Sequence, residues 1–188
     1  MRVIAGKFRS RRLHSLRGMD VRPTADRLRE TLFNVLTAGN PDALTGSIWL
    51  DLYAGTGAVG IEALSRGAKM VFFVESSPSA ANLISENLRS LQLQTGFEIL
   101  NKDVTHALRA LEAKNVTADF VFFDPPYRLQ TAYSITFWRL ADSKLLRPNT
   151  IVVVEHRRKS DLEDESSLLR RYRKLEQGDS VLSFYRRQ

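Results

Sequence analysis

The 188-residue chain predicts an α/β protein with a mostly parallel sheet, helices on both faces and an antiparallel strand closing one edge. Three observations predict it. From Ile48 onward, short apolar runs alternate with segments of helical periodicity, the pattern of parallel strands joined by helical crossovers. A glycine loop, Gly55-Thr56-Gly57, joins the first such run to its helix. The last two runs flank Gln177-Gly178-Asp179, which reads as a hairpin.

Taken in order, residues 2–13 are short, basic and partly alternating, and predict a strand pair turning near Gly6. Arg22-Pro23-Thr24 then leads into a helix, with Thr24 as its expected N-cap and Asp26 complementing its first turn. Leu28, Leu32, Val35 and Leu36 give that helix one buried face, and Gly39-Asn40-Pro41 ends it. Strands follow over 48–52, 70–74, 97–100, 120–123 and 151–154. Helices over 59–66, 78–91, 104–113 and 132–141 alternate with them, Pro78 suiting a first helical turn. Residues 168–175 and 181–185 form the closing hairpin. Residues 1–40 are thus expected as a basic hairpin-and-helix extension packed on a domain formed by 41–188.

Hydrophobic residues make up 43% and charged residues 26%, which argues for a folded domain rather than disorder. No apolar stretch approaches a bilayer span and the start has no long apolar segment, so neither a membrane span nor a secretory signal is expected. The absence of cysteine excludes disulfides and thiolate metal sites, and a cytoplasmic location fits. His14, His106 and His156 lack metal-ligand spacing, so no metal is expected. Trp49 and Trp138 read as packing residues.

The net charge of +7 is uneven: +6 in residues 1–30, −2 in 31–155 and +3 in 156–188. A surface basic at its ends suits a phosphate backbone. Lys7, Arg9, Arg11, Arg12, Arg22, Arg27 and Arg29 are the candidate RNA contacts. A second run, Arg170, Arg171, Arg173 and Lys174, is expected to divide between the two faces of the hairpin and to matter less.

The loop Asp51-Leu52-Tyr53-Ala54-Gly55-Thr56-Gly57-Ala58-Val59-Gly60 lets backbone approach a ligand closely at the mouth of a helix. Gly55, Gly57 and Gly60 also satisfy the dinucleotide fingerprint, so a nicotinamide cofactor competes. Asp51 favours S-adenosylmethionine instead. An acid there repels a pyrophosphate but attracts an ammonium and a sulfonium. Glu75, ending its strand, suits ribose hydroxyls, and Asp103, after the next strand, suits an adenine amine.

About seventy residues beyond the glycine loop, Asp124-Pro125-Pro126-Tyr127 follows the apolar run 119–123. The exocyclic amine of a base is a poor nucleophile because its lone pair is delocalised into the ring. The Asp124 carboxylate and the Pro125 carbonyl can accept its two hydrogens and aim the lone pair outward. The prolines keep the turn rigid for near-attack geometry, and Tyr127 can stack on the base.

On the residues 2–8, 22–34, 50–60, 62–68, 73–75 and 119–127, the chain resembles the RsmD-type methyltransferases, which make N2-methylguanine in small-subunit (16S) ribosomal RNA. The resemblance implies a Rossmann-like class I methyltransferase fold, with a mostly parallel seven-stranded sheet and a small basic N-terminal extension. It implies S-adenosyl-L-methionine held by Asp51, Ala54, Gly55, Thr56, Gly57, Glu75, Ser76, Asp103 and Val104, with Arg22 and Thr24 closing over it. Asp124, Pro125 and Tyr127 would hold the guanine. Ser76-Ser77 departs from the family pattern, in which an acidic or polar residue such as Asp commonly follows the strand-end Glu. The implied partner is rRNA in a partly or fully assembled 30S particle, and the enzyme is expected to be a monomer. The same turn could serve adenine N6 or another amine. An NAD-dependent oxidoreductase and a non-catalytic RNA-binding module are the remaining alternatives.

Overall fold

A computed structural model of the chain describes residues 1–15, 23–126, 130–160, 162–166 and 168–188. In chain order these form α1 (Pro23–Leu36), β1 (Ile48–Leu52), α2 (Ala58–Ser65), β2 (Met70–Val74), α3 (Pro78–Ser90), β3 (Phe97–Leu100), α4 (Val104–Ala113), β4 (Ala118–Phe123), α5 (Gln130–Ala141), β5 (Leu146–Arg157), β6 (Glu165–Ser166), β7 (Leu169–Gln177) and β8 (Ser180–Arg187). One sheet holds them in the order β3-β2-β1-β4-β5-β8-β7-β6. Strands β1 to β5 pair in parallel, whereas β8, β7 and β6 continue the sheet antiparallel. The seven expected strands are present, and the two-residue β6 adds an eighth at the edge.

The central strands are apolar on both sides because both faces are covered. Trp49, Phe73 and Phe184 join Leu28, Leu32, Ile61 and Ile84 in one cluster, to which α1, α2 and α3 contribute. Leu50, Phe123 and Tyr185 join Leu108 and Phe137 in the other, under α4 and α5. Successive residues of β1 and β8 alternate between these clusters, as the strand period requires. Trp49 stacks between Phe33 and Phe120, with ring centroids 5.4 and 5.2 Å away, and so packs as expected. Trp138 does not. It is 58% exposed, one residue off the buried stripe of Phe137, Leu140 and Ala141, with the Arg139 guanidinium 4.7 Å from its ring.

The N-terminal stretch also departs from expectation. Its strand pairing is reduced to a single bridge, Arg2↔Arg12. Val3 N and Leu13 N still donate across it, to the Arg11 and Met1 carbonyls, while the amides nearer the turn go to α2. Ile4 N and Ala5 N donate to the buried carboxylate of Glu62 at 2.8 and 2.9 Å, Lys7 N to the Ser65 carbonyl at 2.7 Å, and Phe8 N to Ser65 Oγ at 2.9 Å. Gly6, at φ +78°, permits this approach, since a Cβ there would lie 1.9 Å from the Ser65 carbonyl oxygen. Helix α1 starts at Pro23, so Thr24 falls inside its first turn rather than at the cap. Strand β5 starts at Leu146 rather than 151. A register shift absorbs Pro148, and Thr150 Oγ accepts from Arg147 N at 2.8 Å in place of the lost ladder bond.

Candidate active site

Strand β1 lies between β2 and β4, and its crossover through α2 leads to β2. The exits of β1 and β4 therefore flank the point where the strand order reverses, the place where open α/β sheets bind ligands. Leu52 pairs with Phe123, and Phe123 with Val154. The ends of β1 and β4 thus stand beside Val154 of β5, with neighbouring strands about 4.8 Å apart. Each brings a carboxyl group: Asp51 from β1, Asp124 after β4 and Glu155 in β5. Among the described residues, no group of three or more His, Cys, Asp or Glu side chains has the arrangement to hold a metal ion.

Asp51 is 1% exposed. Its Oδ2 accepts from Gly60 N at 2.8 Å, tying the strand end to the first turns of α2, while Oδ1 accepts no bond among the described residues. Burial pushes this carboxyl up to about 8, the Gly60 amide opposing and Glu75 adding to the rise. Gly60 itself serves packing, because a Cβ there would lie 2.3 Å from the Phe73 ring. Gly57, at φ +75°, is the N-cap of α2 and donates to the Ala54 carbonyl at 2.7 Å; Ala54 N in turn donates to the Val74 carbonyl at 3.0 Å.

Glu75 braces the loop from β2. Its Oε2 accepts from Gly55 N at 2.9 Å and its Oε1 from Ser77 N at 2.8 Å. Ser76 is exposed, and its carbonyl accepts from Asn101 Nδ2 at 3.1 Å. Asp103 caps α4 through His106 N at 3.1 Å and pairs with the His106 ring. Val104, the first residue of α4, packs in the α4–α5 cluster. Thr56 turns its carbonyl to Asn87 Nδ2 at 3.0 Å.

Asp124 accepts no hydrogen bond among the described residues. Burial, then the charges of Glu155 and Asp51, hold its carboxyl well above the ordinary carboxylate range. Pro125 is buried and Pro126 exposed. Arg22, Tyr127 and the side chain of Thr24 lie outside the described residues.

Lys7, Arg9, Arg11, Arg12 and Arg27 are exposed, and Arg11 donates to the Ser90 carbonyl at 2.7 Å. Arg29 is different and leaves the set of RNA contacts. It is 6% exposed, donates to the Arg2 carbonyl and Asp26, and lies 4.0 Å from Glu62. It falls next to Leu28 on the inward side of α1 and acts as an internal strut.

Four side chains escaped the sequence reading. Glu155 ends the run Val152-Val153-Val154 as Asp124 ends Val121-Phe122-Phe123, and that parallel was the available signal. Tyr53, at φ +60°, donates to or accepts from Thr136 Oγ at 2.9 Å, linking the glycine loop to α5. Asn87 joins His14 and Thr56, and Glu62 joins the N-terminal stretch to α2. Asn87 is a polar residue on the amphipathic α3 and Glu62 a lone charge on the almost wholly buried α2, and nothing in the local pattern names a long-range partner for either.

A family model described as Conserved hypothetical protein 95 matches residues 1–186. YlbH of Bacillus subtilis, named provisionally as an rRNA methyltransferase, is 31% identical over 187 residues, covering 100% of this chain and 99% of that protein. Ribosomal RNA small subunit methyltransferase D of Haemophilus influenzae is 36% identical over 156 residues, covering 82% of this chain and 78% of its own length. The solved structure of yhhF from Escherichia coli, described provisionally as a methyltransferase, superposes with a TM-score of 0.83 at 28% identity, covering 100% of this chain and 98% of that one.

Proposed function

Because the chain belongs to the Conserved hypothetical protein 95 family, the RsmD-type methyltransferases, we propose that it transfers a methyl group from S-adenosylmethionine to the exocyclic N2 of a guanine in small-subunit rRNA. One observation carries the reading: the glycine loop after β1 and the Asp124 turn after β4 leave adjacent, in-register strands, so that a donor and an acceptor would meet between them.

The donor fits the acids present. Asp51 Oδ1 is desolvated without a bonded donor among the described residues, a cost that a cation relieves and a pyrophosphate would worsen. S-adenosylmethionine supplies an electrophilic methyl group on a positive sulfur. Asp51 then faces its ammonium, and Glu75, braced by two amides, keeps further lone pairs for ribose hydroxyls. Arg22 and Thr24 close over the donor. Asp124 and the Pro125 carbonyl take the two amine hydrogens of the base, and Tyr127 stacks on its face. The methyl group would pass to the nitrogen as its bond to sulfur breaks, and Asp124, as a carboxylate, would receive the proton that the nitrogen sheds. The base leaves its stack to reach this corner. The exposed Lys7, Arg9, Arg11, Arg12 and Arg27 hold phosphate, and the substrate is rRNA in a partly or fully assembled 30S particle.

Nucleotide mass mapping of rRNA from a deletion strain tests this, with one guanine expected to lack a methyl group. A missing methyl on adenine, or none on rRNA, would overturn the assignment to guanine N2.

Asp51 gives a pH signature. A carboxyl at about 8 in the folded protein and about 3.9 unfolded favours folding through its protonated form, an advantage complete below the unfolded value and lost as pH rises through 8. A bound ammonium reverses the preference, so donor binding expels a proton. The affinity is expected to rise up to about tenfold per pH unit between roughly 6 and 8 and then level off. Calorimetry across pH would show this for the unaltered protein and a shallower rise for Asp51→Asn.

A further inference from the structure

The β7–β8 hairpin carries a feature that packing does not account for. Arg170 and Arg186 stand directly opposite each other in the antiparallel ladder, a like-charge pair that weakens a sheet. A register shift between Arg171 and Arg173 breaks the simple alternation of β7. It places Arg170 opposite Arg186 and Arg173 opposite Phe184 on one face, with Arg171 opposite Tyr185 and Lys174 opposite Ser183 on the other, so the run divides between the two faces as the sequence suggests. Tyr172, in the bulge, is 46% exposed; its ring lies 6.3 Å from that of Phe184 and 4.7 Å from the Arg186 guanidinium.

These residues border a groove of about 670 Å³ that also meets Arg171 and Arg187. Its acidic neighbours are few. Glu165 lies 3.6 Å from Arg170 across an exposed pair, and Asp164 pairs with Arg171. Arg186 has no carboxylate partner among the described residues. Phe184 belongs to the apolar cluster that contains Val3, Phe8, Leu13 and Leu28. Arg186, two residues on, therefore faces the same side of the sheet as the basic N-terminal stretch.

We propose that this groove is a second RNA-binding surface, which grips the substrate away from the reacting base. Phosphates lie between Arg170 and Arg186 and relieve their repulsion, and an unpaired base stacks on Tyr172 beside Arg186. The inference rests on the reading of the substrate as RNA, but not on which base is methylated. It makes one basic face of the sheet the footprint and leaves the carboxyl ends of the strands for chemistry.

The test is binding of a small-subunit rRNA transcript by the full chain across a salt series, without methyl transfer. R170Q/R186Q is expected to weaken binding about tenfold near 0.1 M salt and to reduce the slope of log K against log salt by about 1.5, as two lost phosphate contacts require. Tyr172→Ala should weaken binding with little change in that slope. S-adenosylmethionine affinity should be unchanged in each. Independently of any variant, RNA should protect Arg170 and Arg186 of the unaltered protein from a dicarbonyl reagent. Unchanged affinity and slope, or arginines that RNA leaves reactive while a ribosomal-protein fraction protects them, would overturn the proposal. RNA binding through these arginines without methyl transfer to rRNA would overturn the proposed function instead and leave the groove standing.

Discussion

Asp124→Ala is expected to lower the rate of methyl transfer by about a thousandfold while leaving S-adenosylmethionine affinity nearly unchanged. The side chain stands at the exit of β4 with no hydrogen bond among the described residues, so its removal unpins nothing in the fold. What disappears is an acceptor for the amine hydrogen and a receiver for the proton. Asp124→Asn keeps an acceptor oxygen but no base, and should fall between the two. Single-turnover transfer to rRNA, set beside calorimetric binding of the donor, separates these effects. A variant that binds the donor poorly yet turns over normally would transfer the role of Asp124 from the base to the donor.

The largest effect on stability is expected at Glu62. Its carboxylate is fully buried and accepts from Ile4 N, Ala5 N and Arg66 Nε at 2.8–2.9 Å, with Arg29 at 4.0 Å. Glu62→Ala leaves two amides without acceptors and the Arg66 guanidinium without its counter-charge, while Arg29 keeps Asp26. Loss of one partner from such a buried set costs about 3–5 kcal/mol, and for a chain of this size thermal unfolding should fall by about 10 °C. Calorimetric scans would check it. Glu62→Gln keeps acceptor and shape, so it should recover part of the loss. An unchanged melting temperature in Glu62→Ala would mean that the N-terminal stretch is held by its apolar residues, Val3, Phe8 and Leu13, alone.

The legible parts of the chain share a physical cause. Buried parallel strands are nearly continuous apolar runs, so 48–52, 70–74 and 97–100 read to the residue. The two turns are readable too, because Gly55 and Gly57 permit left-handed backbone and the Pro125-Pro126 pair restricts it locally. What stayed hidden depends on distance along the chain. The N-terminal residues alternate like a strand, yet their amides bond to side chains nearly sixty positions away, which no local period encodes. Arg29 carries the charge of a surface residue and the contacts of a core one, since its acidic neighbour Glu62 comes from another helix. The break in β7 alternation at Tyr172 is likewise a property of pairing with β8, not of β7 by itself.

Asn87 sits wholly inside the protein, accepts from His14 N at 2.7 Å, and donates to the carbonyls of His14 and Thr56 at 3.2 and 3.0 Å. One amide is thus a rivet through three layers: the opening of the chain, the turn after β1 and the last turn of α3. The opening segment cannot slide over the body of the protein without shearing a bond that also holds the turn, so the two move as a single mechanical part.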